Sequence, residues 1–266
     1  MSSHHPVFAR FEQGCGPIPN WLGVTTRREF FTADLEFVRM APPTIDTEYF
    51  EWVDLLEAVV SAENRFTMLE IGAGYGRWTV NAGAAVRAFS GLPTTLIAVE
   101  AEPTHFGWLE QHCRDNNVDA RTLSAAVTRQ PGEVEFAVGN PAGWYGQAIV
   151  DGSWSPERTE LVRGVALSSL LAEHERVDLV HMDVQGVEAD VLEEARHEMY
   201  RVLRLHVGTH GRDQERRIRT LFADLGWSAA NDYPSAATAP TPWGNMAFQD
   251  GVQTWLNPVM GGARLR

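Results

Sequence analysis

The stretch Met68-Leu69-Glu70-Ile71-Gly72-Ala73-Gly74-Tyr75-Gly76-Arg77-Trp78-Thr79 constrains the fold most, because an apolar run passes through three alternate glycines straight into a helical pattern. Glycine allows positive φ and close approach of backbone to a ligand, and the helix behind it presents N–H groups with no partner inside the helix. Strands that turn this tightly into helices belong to open α/β sheets, which bind ligands at the carboxyl ends of their strands. Downstream, short apolar runs at 66–71, 95–99, 121–126, 178–183 and 202–209 alternate with helical spacing at 77–89, 103–116, 187–200 and 212–225. That alternation predicts a mostly parallel sheet with helices on both faces. Beyond Gly226, strand-like segments at 227–233 and 248–256 flank a proline-rich loop at 234–242 with no helix between them. They predict an antiparallel edge strand, so the expected class is α/β with a mixed sheet edge.

At 266 residues and 44% hydrophobic, the chain suits one such domain with an extension. The first 50 residues lack a sustained period and carry turn chemistry at Gly14-Cys15-Gly16-Pro17-Ile18-Pro19 and Ala41-Pro42-Pro43. They read as a cap or lid, and 51–266 as the domain, entered by a helix from Asp46 that spaces Phe50, Val53 and Leu56 helically. The net charge of -13 repels phosphate backbones and anionic surfaces, so neither nucleic acid nor a membrane is the expected partner. Two cysteines, Cys15 and Cys113, make no disulfide framework and fit a reducing compartment. With no leader-like start and no run approaching about 18 apolar residues, the expected location is cytoplasmic.

The glycine spacing discriminates between ligands. A dinucleotide site favours G-x-G-x-x-G, with backbone amides and a helix N-terminus facing a pyrophosphate, whereas this chain has G-x-G-x-G. Glu70, just before the loop, would repel a pyrophosphate and attract the ammonium of a methionine moiety. Gly72, Ala73, Gly74 and Gly76 would then cradle S-adenosylmethionine. At the next strand end stands Val99-Glu100-Ala101-Glu102, where a carboxylate can accept from both hydroxyls of a ribose; Glu100 is the candidate and Glu102 its register alternative. The third strand end, Leu123-Ser124-Ala125-Ala126-Val127, places Ala125 where it can line an adenine pocket.

At Val177-Asp178-Leu179-Val180-His181-Met182-Asp183-Val184-Gln185-Gly186-Val187-Glu188 the chain resembles the FkbM family of class I methyltransferases. That family has an apolar strand ending in Asp, then Glu-Gly and an acid before a helix; here Gln185 replaces the Glu and removes a charge. The resemblance extends to Glu70 to Gly76, to Gly208-Thr209-His210-Gly211 and to Asp250-Gly251-Val252-Gln253-Thr254-Trp255-Leu256-Asn257-Pro258. It covers the chain from about Phe66 onwards and leaves out the first fifty residues. It implies a Rossmann-like domain, S-adenosylmethionine as methyl donor, and transfer to a hydroxyl of a sugar or secondary metabolite. Substrate choice is expected in the N-terminal extension and in an insertion at 139–163, since loops on a rigid scaffold carry specificity.

Transfer to a hydroxyl requires alignment and a proton acceptor. Asp183 ends the fourth strand and His210 follows the fifth, so His210 is the expected base and Asp183 its orienter or an acceptor-binding group. His181, Asp183 and Gln185 share strand parity, as do His206 and His210, so polar groups including Gln185 can converge above the sheet. Asp183, Glu188 and a histidine could hold a divalent metal, but a hard cation prefers more oxygens, so no metal is the favoured reading. As an early helical residue, Glu188 also suits the helix dipole alone, and His181 in mid-strand suits a buried structural role. Aromatic residues in loop-like sequence, Trp144 and Tyr145 above all, with Trp154 and Trp243 further off, can stack on a sugar or flat acceptor. The partner expected is thus a small-molecule or carbohydrate acceptor. N-methyl transfer, nicotinamide-dependent oxidoreduction and a non-catalytic binding module are the alternatives.

Overall fold

Most of the apolar runs form strands close to where the sequence places them, and the glycine loop turns the first of these into a helix. A computed structural model of the chain describes residues 19–30, 42–141, 145–150 and 156–258. Helix α1 (Tyr49–Ser61) leads into β1 (Phe66–Ile71), α2 (Arg77–Phe89), β2 (Thr94–Glu100), α3 (Pro103–Asp115) and β3 (Arg121–Ser124). Next come three short strands, β4 (Ala126–Val127), β5 (Gly132–Ala137) and β6 (Thr159–Val165), then α4 (Leu167–Ala172), β7 (Leu179–Asp183), α5 (Glu188–Glu194), β8 (Arg204–Thr209) and α6 (Arg212–Asp224). The chain closes with β9 (Ser228–Tyr233), β10 (Ala237–Thr241), β11 (Gly244–Phe248) and β12 (Gly251–Leu256).

The main sheet runs β3-β2-β1-β7-β8-β12-β9. The first five strands are parallel, and β12 is antiparallel to both β8 and β9. The sequence expectation of a mostly parallel α/β sheet with antiparallel pairing at its edge is met, with β12 inserted one place in from β9. Strand order reverses between β1 and β7, which leaves a crevice at their carboxyl ends.

Each face of the sheet buries its own core, as alternating side chains require. Met68, Leu96, Ala98 and Leu179 face α1, α2 and α3, where Trp52, Leu55, Val80 and Leu109 meet them. Leu69, Ile71, Val180, Met182 and Leu205 face the other way, towards Leu171, Val191, Leu192 and Phe222 of α4, α5 and α6. Residues from 19 to 30 belong to the first layer: Trp21 packs edge-on against Trp52 at 5.4 Å, and Asn20 donates to Asn81 of α2 at 2.8 Å. No helix among the described residues is long and apolar enough to cross a membrane.

Several segments differ from their sequence reading, three of them near the site or at the sheet edge. The strand expected at 121–126 breaks at Ala125, whose N–H bonds the Glu100 carbonyl at 3.0 Å while β4 leaves the main sheet to pair with β6. The insertion expected from 139 contains most of β6, which pairs antiparallel with β5. The proline-rich 234–242 segment contains β10, one arm of a hairpin with β11.

Candidate functional site

Gly72, Gly74 and Gly76 have φ of 76°, 55° and 76°, the left-handed region that only glycine enters without strain. A Cβ on Gly72 would stand 1.9 Å from the Asp183 carbonyl oxygen, and one on Gly76 would stand 2.3 Å from Leu109 Cδ1. Those two glycines are therefore demanded by packing against β7 and α3. Gly74 instead lies against the Tyr145 ring, and its N–H donates to Glu100 Oε2 at 2.7 Å. Glu100 Oε1 accepts from Glu102 N–H at 2.7 Å, so one carboxylate ties the loop to the end of β2. Burial pushes Glu100 up to about 7, against the pull of its backbone donors. Glu102, the register alternative, accepts from His105 N–H at 2.7 Å and caps α3, with Pro103 in the first helical position.

Glu70 has a structural duty that its sequence position did not advertise. Its two oxygens accept from Trp78 N–H at 3.1 Å and Thr79 N–H at 2.7 Å, which satisfies the first turn of α2 where the capping residue, Gly76, has no side chain. Burial holds its carboxyl above the usual range. Glu70 still borders the crevice, and each of its oxygens keeps a second lone pair.

A cavity of about 540 Å³ opens at the switch point between β1 and β7. Gly72, Ala73 and Gly74 form one wall, and Glu100 and Ala125 another. Asp183 and Gln185 continue the lining from the end of β7. Tyr145 borders it on the side of Gly74 and His105; its ring stacks on His105 at 4.2 Å and its hydroxyl donates to the Phe30 carbonyl. The expected cofactor and acceptor residues thus meet in one crevice, apart from Gly76, His210 and Trp144. Gly76 backs onto Leu109, His210 does not reach the lining, and Trp144 and Trp154 lie outside the described residues.

His210 sits among three carboxylates. Its Nδ1 lies 2.6 Å from Glu188 Oε1, and its Nε2 lies 3.6 Å from Asp183 Oδ1 and 3.8 Å from Asp250 Oδ1. Desolvation disfavours the charged imidazole, but the Glu188 hydrogen bond and the surrounding carboxylates outweigh it and push the pKa up to about 9. Glu188 makes the shorter contact and Asp183 the longer one. Asp183, with half its side chain exposed, is the member of the pair that faces the cavity.

The sequence reading passed over Glu51 and Asp54, whose spacing puts both on one face of α1. Beneath them a polar row crosses four strands: Glu70, His181, His206 and Thr254 are successive register partners. His181 Nε2 meets Glu51 Oε2 at 2.7 Å, and His206 Nδ1 meets Asp54 Oδ2 at 2.7 Å. Asp54 also accepts from Arg204 at 2.5 Å and from the Thr254 hydroxyl, and these partners hold its carboxyl below the usual range despite burial. The two imidazoles stack at 5.1 Å with 2° between their planes. His181 Nδ1 is buried with no hydrogen-bond partner among the described residues, a cost of about 1–3 kcal/mol that a purely structural histidine would be expected to avoid. Glu51 and His181 both border the cavity. A helix of apolar character carrying acids at i and i+3 is the signal from which this row was readable.

Comparison with known proteins gives a family match and several likenesses. The model described as the methyltransferase FkbM domain matches residues 70–226. A provisionally named methyltransferase from Jannaschia sp. (strain CCS1) is 25% identical over 267 residues, covering 92% of this chain and 94% of the relative. Among solved structures, precorrin-6y C5,15-methyltransferase from Geobacter metallireducens GS-15 is 13% identical, with a TM-score of 0.48 over 91% of this chain and 98% of that one. An rRNA methylase from Streptococcus thermophilus is 10% identical, with a TM-score of 0.47 over 81% and 99% of the two chains.

Proposed function

Because this chain belongs to the FkbM methyltransferase family, its activity is methyl transfer, and we propose that it takes the methyl group from S-adenosylmethionine and places it on a hydroxyl of a sugar or secondary metabolite. The observation that carries this reading is the convergence of Gly72 to Gly74, Glu100 and Ala125 from three strand ends on one cavity. Its volume lies within the range of small-ligand sites. The charge of the lining agrees, since Glu48, Glu51, Glu70, Glu100 and Asp183 face a single guanidinium, Arg77. Such a surface favours a sulfonium and an ammonium and disfavours the pyrophosphate of a dinucleotide.

The donor supplies a methyl group already activated by positive charge on sulfur, so the protein's task is alignment and proton removal. Glu100 would hold ribose hydroxyls at the end of β2, and the backbone of Gly74 would let the ligand approach. Asp183 would take the hydroxyl proton, and the bound donor would supply the methyl group and depart as a neutral thioether. His210, protonated beside Asp183, steadies that carboxylate and keeps it aimed into the cavity.

Calorimetric titration with S-adenosylhomocysteine and with NAD tests the donor. Binding of the former without the latter is expected; tight NAD binding with no response to S-adenosylhomocysteine would overturn the reading. The acidic lining also suits an amine acceptor, the second reading. A donor carrying a 13C methyl group separates the two, because O-methyl and N-methyl carbons resonate apart in the product.

A further inference from the structure

We propose that Glu51, His181 and His206 form a binding site for one divalent transition-metal ion at the floor of the cavity. One nitrogen from each histidine and one carboxylate oxygen of Glu51 lie within 4.8 Å of one another. Metal bonds of about 2.0–2.2 Å set tetrahedral ligand atoms about 3.4 Å apart, so the widest separation would close and the 2.7 Å contact between His181 and Glu51 would open, both by movement of the Glu51 side chain on α1. The contact between His181 Nε2 and Glu51 is the one a metal would replace, with the ion taking the place of the shared proton.

The surroundings are built as a ligand site is built. Asp54 accepts from Nδ1 of His206 and so leaves Nε2 as that ring's free lone pair, the arrangement in which a carboxylate behind a histidine fixes its tautomer and raises its basicity. Asp54 is in turn held by Arg204 and Thr254, so the imidazole has little freedom. Register pairing of β7 and β8 sets the two rings parallel. Charge points the same way. Glu51 and Asp54 touch the two rings and Glu70 is the register neighbour of His181, while the Arg204 guanidinium is shared between Asp54 and Glu57. Two histidines and one carboxylate also leave coordination positions vacant. Since Glu51 and His181 border the cavity, those positions face the space where the acceptor would lie. An ion there would bind an acceptor oxygen and make its proton easier to lose.

This site is distinct from the Asp183, Glu188 and histidine set that the sequence suggested, and its occupancy can be tested without activity. The full-length chain, stripped by a chelator and dialysed, is titrated with Co²⁺ alone and followed by visible absorption and calorimetry. One equivalent is expected, with the intense d–d bands of a four- or five-coordinate ion, displaced by Zn²⁺. Glu51→Gln and His206→Ala should each weaken Co²⁺ binding tenfold or more, whereas His174→Ala, on the opposite end of the molecule from the cavity, should not. Circular dichroism melts keep loss of fold apart from loss of a ligand, and Glu51→Gln retains a hydrogen-bonding group should His206→Ala unfold. A wild-type protein that takes up no Co²⁺, or binding that survives in the folded variants, overturns the proposal. S-adenosylhomocysteine binding, measured separately, reports on the methyl-donor reading alone.

Discussion

Glu100 is the residue on which loop geometry and ligand affinity meet. Its carboxylate accepts from Gly74 and Glu102 and is pushed up to about 7 by burial, so it gains a proton within the physiological range. A protonated carboxyl accepts less well from ribose hydroxyls. Affinity for S-adenosylhomocysteine should therefore fall as pH drops below about 7 and level off above it, and Glu100→Gln should bind about tenfold more weakly with that pH dependence removed, as the loss of a charge-assisted hydrogen bond implies. Calorimetry at pH 6 and pH 8 measures both; a flat wild-type profile would refute the assignment. His210 carries the opposite sign. Its folded pKa of about 9 exceeds the unfolded value of about 6.5, so its contribution is complete below about pH 6.5 and is lost as pH rises through about 9. The gain is on the order of 2 kcal/mol once desolvation of Glu188 is set against it. Urea unfolding of wild type and His210→Gln should show that gap at pH 6 and close it near pH 10.

Among the elements, α1 carries the costliest contacts. Asp54 is fully buried and holds Arg204, His206 and Thr254 at once. Asp54→Ala would leave the Arg204 guanidinium buried with only Glu57 for charge, and should destabilise the protein by about 3–5 kcal/mol in urea melts. Adding Arg204→Met should restore much of that loss; no recovery would mean that Asp54 acts through something other than the ion pair. Helix α2 was legible to the residue, because Gly76 and Ser90 bracket a clean helical period. The glycine loop, Glu100, Ala125 and Asp183 were legible as a cavity lining for the same reason: strand ends in an open parallel sheet point one way. Helix α5 ends at Glu194 where the sequence reads on to 200, since Ala195–His197 and Met199–Arg201 continue the apolar spacing as 3-10 turns. Strand β10 reads as loop because Ala237–Thr241 contains Pro240 and little apolar alternation, which a two-stranded hairpin with open edges tolerates. The duties of Glu51 and the proton on His210 depend on partners more than 20 residues away, and local pattern does not carry that information.

Across the whole molecule, residues 19–30 contribute to the core. Trp21, Leu22, Val24 and Phe30 are buried, and Phe30 stacks on Tyr75 of the glycine loop at 5.7 Å. At about 2 kcal/mol for each buried side chain, removing residues 1–41 forfeits a large part of the 5–15 kcal/mol that stabilises a typical domain. The truncated chain should melt at least about 10 °C lower or lose its cooperative transition, as followed by circular dichroism. An unchanged melt would show the segment to be an accessory. The polar row under α1 has a consequence of another kind. Glu70, His181, His206 and Thr254 are aligned across four strands, and the last three meet Glu51 and Asp54 on the helix above at only one alignment. A slip of β8 by two residues past β7 would keep every side chain on its proper face, so apolar packing alone would object little. It would, however, set Arg204 or Gly208 opposite His181 and strip Asp54 of its partners. The row therefore acts as a key cut to one lock, letting the sheet and its covering helix close in a single register and rejecting near misses that greasy surfaces would accept.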